Sequence, residues 1–301
     1  MRVFVTGVGG FVGRRLRPRL EAMGHEVIGA DREVDVTDPR LLGPALADAA
    51  PDAVIHLAAM SSVARSWQEP ALCYRLNFLG TRSLLECVGR RCADARILLI
   101  GSADQYSPVS GDPGDAGPFD ENTPLRPRSP YARTKAAAEM LGGAAAAEGL
   151  DVVRVRAFNH TGAGQADAFV VSSFARQVAA IRAGRQAPIM RVGNLESVRD
   201  FLHVDDVIDA YVALLDRAVP ADVYNVAGGI ATPIQAVLDR LIELADIEPH
   251  VETDPERFRP TDWLVGDATR IRTVTGWRPS IPLDAILREL YEDWSKRDAA
   301  E

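Results

Sequence analysis

Short apolar runs rich in Val and Ile recur through the first half of the chain, separated by longer stretches in which apolar residues return every three or four positions. The runs are RVFVTG (2–7), HEVIGAD (25–31), DAVIHLAA (52–59), ARILLIGS (95–102) and DVVRVRAF (151–158). They read as strands and the intervening stretches as helices, an alternation that predicts a parallel sheet covered by helices on both faces. The intervals are long enough for right-handed crossovers. Beyond Phe158 the rhythm changes. Segments 159–197 and 228–282 are richer in Pro, Gly and polar residues, whereas FLHVDDVIDAYVALLDRA (201–218) has helical periodicity and DVYNVAG (222–228) reads as one more strand. The predicted organisation is α/β: a doubly wound nucleotide-binding core from 1–158 and 198–227, and a smaller lobe from 159–197 and 228–301.

The first strand runs into TGVGGFVG, which spaces Gly7, Gly10 and Gly13 as G-x-x-G-x-x-G at the start of a helix. Glycines there permit a tight turn, let the backbone approach a pyrophosphate, and leave the N–H groups of Phe11 and Val12 bare at a helix N-terminus. That arrangement makes the sheet Rossmann-type, although a turn of purely structural purpose would need the same residues. Asp31 ends the second strand at the distance where an acid holds the ribose hydroxyls of NAD(H), whereas its neighbour Arg32 would suit the 2′-phosphate of NADP(H). The choice stays open at this level. Asp35 and Val36 stand where the adenine edge would lie, and Leu57, Ala58 and Ala59 at the end of the third strand are small enough to lie against a cofactor. His56 reads as a packed core histidine.

Composition narrows the partners. The chain has 301 residues, of which 47% are hydrophobic, enough to bury a full core. A net charge of −8 and a pI near 5.3 argue against nucleic-acid or anionic-membrane binding, so an anionic ligand needs local cations. Cys73, Cys87 and Cys92 lack metal-like spacing and read as buried thiols of a reducing compartment. The start lacks the n-region, h-region and cleavage site of a secretory leader, and no apolar run approaches the ~18 residues of a membrane span, so a cytoplasmic location is expected.

Cation usage singles out one residue. Of the 34 basic side chains only Lys135 and Lys296 are lysines. Lys135 lies four residues after Tyr131 in SPYARTKAAAE (129–139), so the two share a helix face, with Ser102 and Asp104 upstream at the end of the fourth strand. A compact ammonium beside a phenol is expected to draw its pKa down from about 10, which a planar guanidinium cannot do from the same point.

On these features the chain resembles the extended short-chain dehydrogenase/reductase family over essentially its whole length: the three glycines, HLAA, LNFLGT with Asn77, Ser102, and Tyr131-x-x-x-Lys135. Within it RAFNHTGAGQADAFVVSSFARQ, VGNLESVRDFLHVDDV and RPTDWLVGDATRIRTVTGWRP resemble the GDP-mannose branch of dehydratases and reductases. The short chain, the compact ADREVDVTD stretch and Ser102 followed by Ala103 and Asp104 favour the reductases, whereas dehydratases carry a Glu two residues after a catalytic Thr. Gly101 and Ser107 depart from the family's usual Ser and Gly.

The resemblance implies NAD(P)H-dependent reduction of a 4-keto-6-deoxy nucleotide sugar, with Tyr131 as proton donor, Lys135 as its partner and ribose anchor, and Ser102 as a second hydrogen-bond donor. A nucleotide-sugar 4,6-dehydratase or 4-epimerase is the alternative, and a non-catalytic dinucleotide sensor a remote one. Asn77 and Phe158 are implied cofactor contacts. Ser61, Asn159, Val170, Arg199, Arg259 and Asp262 are implied contacts of the nucleotide sugar, with Arg199 and Arg259 also open to a structural ion-pair reading. Asp104 remains open between a dehydration acid, a sugar-hydroxyl ligand and a turn cap. A homodimer through helices near 131–149 and 79–90 is also implied. Trp277 reads as core packing.

Overall fold

The computed structural model describes residues 1–106, 117–255 and 262–298. Its first half runs β1 (Arg2–Thr6), α1 (Phe11–Ala22), β2 (Glu26–Ala30), α2 (Pro39–Ala49), β3 (Ala53–His56), α3 (Val63–Gln68), α4 (Pro70–Tyr74), α5 (Gly80–Arg91), β4 (Arg96–Ile100), α6 (Pro130–Ala147) and β5 (Val152–Ala157). The helices begin where their side chains dictate. Asp38 caps α2 and Ser129 caps α6 through backbone N–H groups, each followed by a proline at the first helical position. The second half continues with β6 (Asn159–Thr161), α7 (Val170–Arg182), β7 (Ile189–Val192), β8 (Val198–Arg199), β9 (Phe201–His203), α8 (Val204–Ala213), β10 (Val223–Val226), β11 (Thr232–Pro233), α9 (Ile234–Ala245), β12 (His250–Thr253), β13 (Trp263–Leu264), α10 (Thr269–Thr275) and α11 (Leu283–Asp298).

Six parallel strands form the central sheet in the order β2-β1-β3-β4-β5-β10. The period-2 alternation of each strand feeds a core on each face. β1 sends Val3 and Val5 toward Leu16 and Leu20 of α1 and Val207 of α8, while Phe4 joins Leu42 of α2 and Leu84 of α5 on the other side. Between β1 and β3 the connection reverses direction, the switch point at which open parallel sheets hold ligands beyond the carboxyl ends of their strands.

A separate apolar core joins α7, α9, α11 and β7, with Phe174, Val178, Leu238, Leu241, Ile286 and Leu290 at its centre. Residues 263–277, which the sequence pattern assigns to the smaller lobe, bury Trp263, Leu264, Ile271 and Trp277 in the core of the sheet instead. Their segment is anchored there because the Trp277 indole donates to the Asp206 carbonyl at 2.9 Å. No helix of the described residues is long and apolar enough to cross a membrane, and all three cysteines are free.

Candidate active site

Gly7 takes a left-handed backbone, φ +70°, and a Cβ on it would stand 2.8 Å from the Ala58 nitrogen. Thr6 fixes that neighbour. Its hydroxyl bonds His56 Nδ1 at 2.8 Å and accepts from Ala58 N–H at 3.3 Å, so the end of β3 lies tight against the glycine turn. His56 is buried, and desolvation together with the Lys135 charge pushes its pKa down to about 3, so it packs as a neutral ring, as expected from the sequence. Gly13 also answers to the protein itself, because a Cβ there would lie 2.5 Å from the Val8 carbonyl oxygen. Gly10 does not: its Cβ would meet only the Gly7 carbonyl, at 3.1 Å. Helix α1 has no side-chain cap and no acid in its first turn, so the N–H groups of Phe11 and Val12 at its start meet no capping side chain. A small residue, bare N–H donors and the positive end of a helix fit a diphosphate.

The adenosine end is acidic. The half-buried Asp31 leans over Gly9, its Oδ2 standing 2.0 Å from where a Cβ on Gly9 would be, and Glu33 accepts from the Asp31 N–H at 2.9 Å. Gly9 was not singled out from the sequence, although the doubled glycine of GVGG is the signal for it. Arg32 is exposed. Asp35 turns its carboxylate inward onto Thr37, accepting from its N–H at 2.9 Å and its hydroxyl at 2.8 Å, and Val36 is buried beside Gly80. Leu57, Ala58 and Ala59 are half-buried along the crevice. Phe158 is taken up by the core, its ring against Gly266 and near Tyr106.

Asn77 sits in a wide π-helical turn, Arg75–Leu79, between α4 and α5, a deviation that frequently marks functional positions. Its amide is fully engaged. Oδ1 accepts from Met60 N–H at 2.8 Å, and Nδ2 donates to the Met60 carbonyl and to Thr134 Oγ1, each at 3.0 Å. Asn77 therefore ties the loop after β3 to the first turns of α6, the helix that carries Tyr131 and Lys135.

Ser102 caps the short turn after β4. Its hydroxyl oxygen accepts from Asp104 N–H at 3.2 Å, which leaves the O–H to donate elsewhere, and it lies in hydrogen-bonding contact with the Tyr131 phenol. Lys135 Nζ donates to the Ile100 carbonyl at 2.7 Å. Burial lowers the ammonium to about 8, with the Cys73 thiol opposing. From the sequence, that ammonium is expected to pull the phenol's pKa down. In the structure burial pushes Tyr131 up instead, and the nearby Asp104 carboxyl adds to the rise more than the Ser102 bond offsets. The phenol is thus held in its protonated form at neutral pH.

Asp104 is itself raised by burial, with Arg199 opposing and Asp262 adding to the shift. It does not cap the turn, since Ser102 does. Arg199 Nη2 donates to Asp262 Oδ1 at 2.5 Å, and Nη1 reaches the Val198 and Asp262 carbonyls. The sequence named all three residues but not their cluster, which forms because β13 pairs with β8. Asn159 opens β6 and is half-buried, while Ser61 and Val170 are exposed. Arg259 and Ser107 lie outside the described residues. Among the described residues no cluster of side chains suits a metal ion.

Residues 31–290 match the family model described as GDP-mannose 4,6 dehydratase. The chain belongs to the GDP-mannose 4,6-dehydratase family. Within this wider family it is similar to GDP-6-deoxy-D-mannose reductase of Pseudomonas aeruginosa, 38% identical across 98% of both chains. It is also similar to UDP-glucose 4-epimerase of Mycolicibacterium smegmatis, 32% identical over 94% of this chain and 95% of the other. Among solved structures, RMD from Pseudomonas aeruginosa complexed with NADPH superposes with a TM-score of 0.90 at 36% identity, covering 98% of this chain and 99% of that one. Family membership thus rests on nearly the whole chain.

Proposed function

We propose that the chain reduces a 4-keto-6-deoxy nucleotide sugar, GDP-4-dehydro-6-deoxy-D-mannose foremost, with NADH or NADPH. The observation that carries this reading is the buried Tyr131 phenol bonded to Ser102, with Lys135 one turn along the same helix, in a chain whose α1 starts without a side-chain cap after the glycine turn. A ketone being reduced needs a proton donor that is loaded at neutral pH, and Tyr131 meets that need. The 38% identity to the reductase along full length supports the reaction over dehydration.

A nicotinamide cofactor, when bound, would supply the hydride. The chain's own residues do the rest: the Tyr131 O–H donates to the ketone oxygen, and the Ser102 O–H is a second donor to the charge that develops there. Lys135, one turn along α6 and held by the Ile100 carbonyl, keeps a positive charge at neutral pH and would anchor the cofactor ribose. Asp104 lies near Arg199 and Asp262, and in this reading it would accept from a sugar hydroxyl while Arg199 meets the diphosphate. In this reading the second core, with α7, α9 and α11, forms the nucleotide-sugar lobe. Pure protein mixed with the keto sugar should oxidise NAD(P)H. Mixed with GDP-mannose and oxidised cofactor it should yield no keto product; a keto product there would make it a dehydratase.

Asp31 and Glu33 set the cofactor preference. Two carboxylates beside the adenosine ribose disfavour a 2′-phosphate, so NADH is expected to bind more tightly than NADPH. Asp31→Asn should narrow that gap about tenfold, equivalent to ~1.4 kcal/mol. Calorimetric titration with each cofactor reads the ratio, and tighter NADPH binding by the unaltered chain would contradict the assignment.

The chain is also proposed to form a homodimer across α5 and α6. α6 is rich in alanine, and the face leaves Met140 74% and Leu79 39% exposed. Light scattering at micromolar concentration should give twice the 32.6 kDa chain mass, and a monomeric mass would contradict it.

A further inference from the structure

Beneath the reacting groups lies a second set of polar side chains that the proposed chemistry does not touch. Gln105, Glu139 and Arg156 are buried, with 0%, 8% and 5% exposure. Arg156 grips the Glu139 carboxylate with two bonds, Nη2 to Oε1 at 2.6 Å and Nε to Oε2 at 2.9 Å. Gln105 Nε2 donates to the same Oε2 at 2.6 Å, and Gln105 Oε1 accepts from Ser102 N–H at 2.8 Å. The chain of bonds has a fixed polarity. A carboxylate held by a guanidinium can only accept, so the amide of Gln105 must turn its NH2 to Glu139 and its oxygen to Ser102.

The backbone is cut to fit this amide. A Cβ on Gly101 would lie 2.4 Å from Gln105 Oε1 and 2.5 Å from the Val155 carbonyl, so the residue before Ser102 has room for no side chain. Glu139 lies one helical turn beyond Lys135, and Lys135 holds the Ile100 carbonyl at the end of the same strand. The strand end carrying Ser102 is thus gripped twice from α6.

We propose that Arg156, Glu139 and Gln105 are positioning residues that set the place of Ser102 by fixing the orientation of the Gln105 amide. The proposal rests on the reading of Ser102 as a donor to the substrate ketone. Glu139→Gln tests it. The Arg156 guanidinium claims the oxygen of the new amide, whose NH2 then faces Gln105 and reverses it, setting two N–H donors against each other at Ser102. Gln105→Met removes the acceptor and leaves the Arg156–Glu139 pair intact, so it serves where the charge change harms folding.

Each variant should lower kcat for the keto sugar about 10- to 100-fold, the cost of misplacing a reacting group by a fraction of a bond length, with cofactor Kd unchanged. In a Ser102→Ala background neither substitution should lower kcat further. Independently of activity, amide hydrogen exchange at Ser102 should be faster in Gln105→Met than in the unaltered chain. A loss of equal size in the Ser102→Ala background, or unchanged exchange at Ser102, would overturn the positioning role. Failure of the unaltered chain to reduce the keto sugar, with Ser102 exchange still accelerated in Gln105→Met, would overturn the reductase reading and leave the positioning of Ser102 standing.

Discussion

Tyr131→Phe should lower kcat for keto-sugar reduction by about 10²- to 10⁴-fold, the usual worth of a positioned proton donor, and leave cofactor Kd unchanged. The ring stays in its buried slot against Met60 and Cys73, so the fold has no reason to change. Lys135→Arg should also lose most activity while keeping the charge, because Nζ reaches the Ile100 carbonyl through a slot lined by Leu99, Gly101 and Ala138 that a planar guanidinium cannot share. Steady-state kinetics beside calorimetric cofactor binding separates the two effects. Near-normal turnover by either variant would remove that residue from the chemistry.

The same lysine gives the site its pH dependence. Activity of the unaltered chain should fall as pH rises through about 8, where Lys135 loses its charge, while the raised Tyr131 phenol stays protonated. Stability moves the other way. Between about 8 and the ordinary 10.5 the unfolded chain binds more protons at this lysine than the folded one, so its contribution to stability rises with pH across that window. Lys135→Met should therefore be more stable than the unaltered chain at pH 7 by an amount that shrinks toward pH 10, as denaturant unfolding can show.

The glycine turn gives the second large effect. Gly10→Val should weaken binding of both NADH and NADPH by at least about tenfold with little change in stability, since a Cβ there meets the protein only at the Gly7 carbonyl while the branched side chain would fill the space before the uncapped N–H groups. Gly13→Ala should do the reverse. Its methyl would lie 2.5 Å from the Val8 carbonyl, a clash of the kind that costs ~1–3 kcal/mol of folding stability. Thermal unfolding and calorimetry on the pair distinguish a glycine kept for a ligand from one kept for the backbone.

These contrasts mark what the sequence made legible. Val3, Phe4 and Val5 alternate between two cores, so β1 and the strands like it announce themselves, and 222–228 falls into the sheet as expected. Tyr131 and Lys135 were visible because four residues along a helix is a local distance. Contacts made through the fold were not. Gln105 and Glu139 are 34 residues apart in sequence, and Glu139 and Arg156 are 17 apart; they meet because α6 packs against both β5 and the short turn that follows β4. The one hint was a buried-face acid one turn after Lys135 in an alanine-rich helix. Arg199 and Asp262, separated by 63 residues, meet only through the two-residue strand β13, too short to show a period. The rise of the Tyr131 phenol is hidden from the sequence for a related reason: spacing shows a neighbouring ammonium, whereas the burial and the Asp104 carboxyl that raise the phenol belong to the folded chain.

The most direct test of the account follows a label. The unaltered chain, given GDP-4-dehydro-6-deoxy-D-mannose and NADH or NADPH deuterated at the transferred position, should yield a GDP-6-deoxyhexose carrying one deuterium at C4. Tyr131→Phe should yield the same labelled product far more slowly. A product without label at C4, or reduced cofactor left unconsumed while GDP-mannose is converted to a keto sugar, would contradict carbonyl reduction as the work of this site.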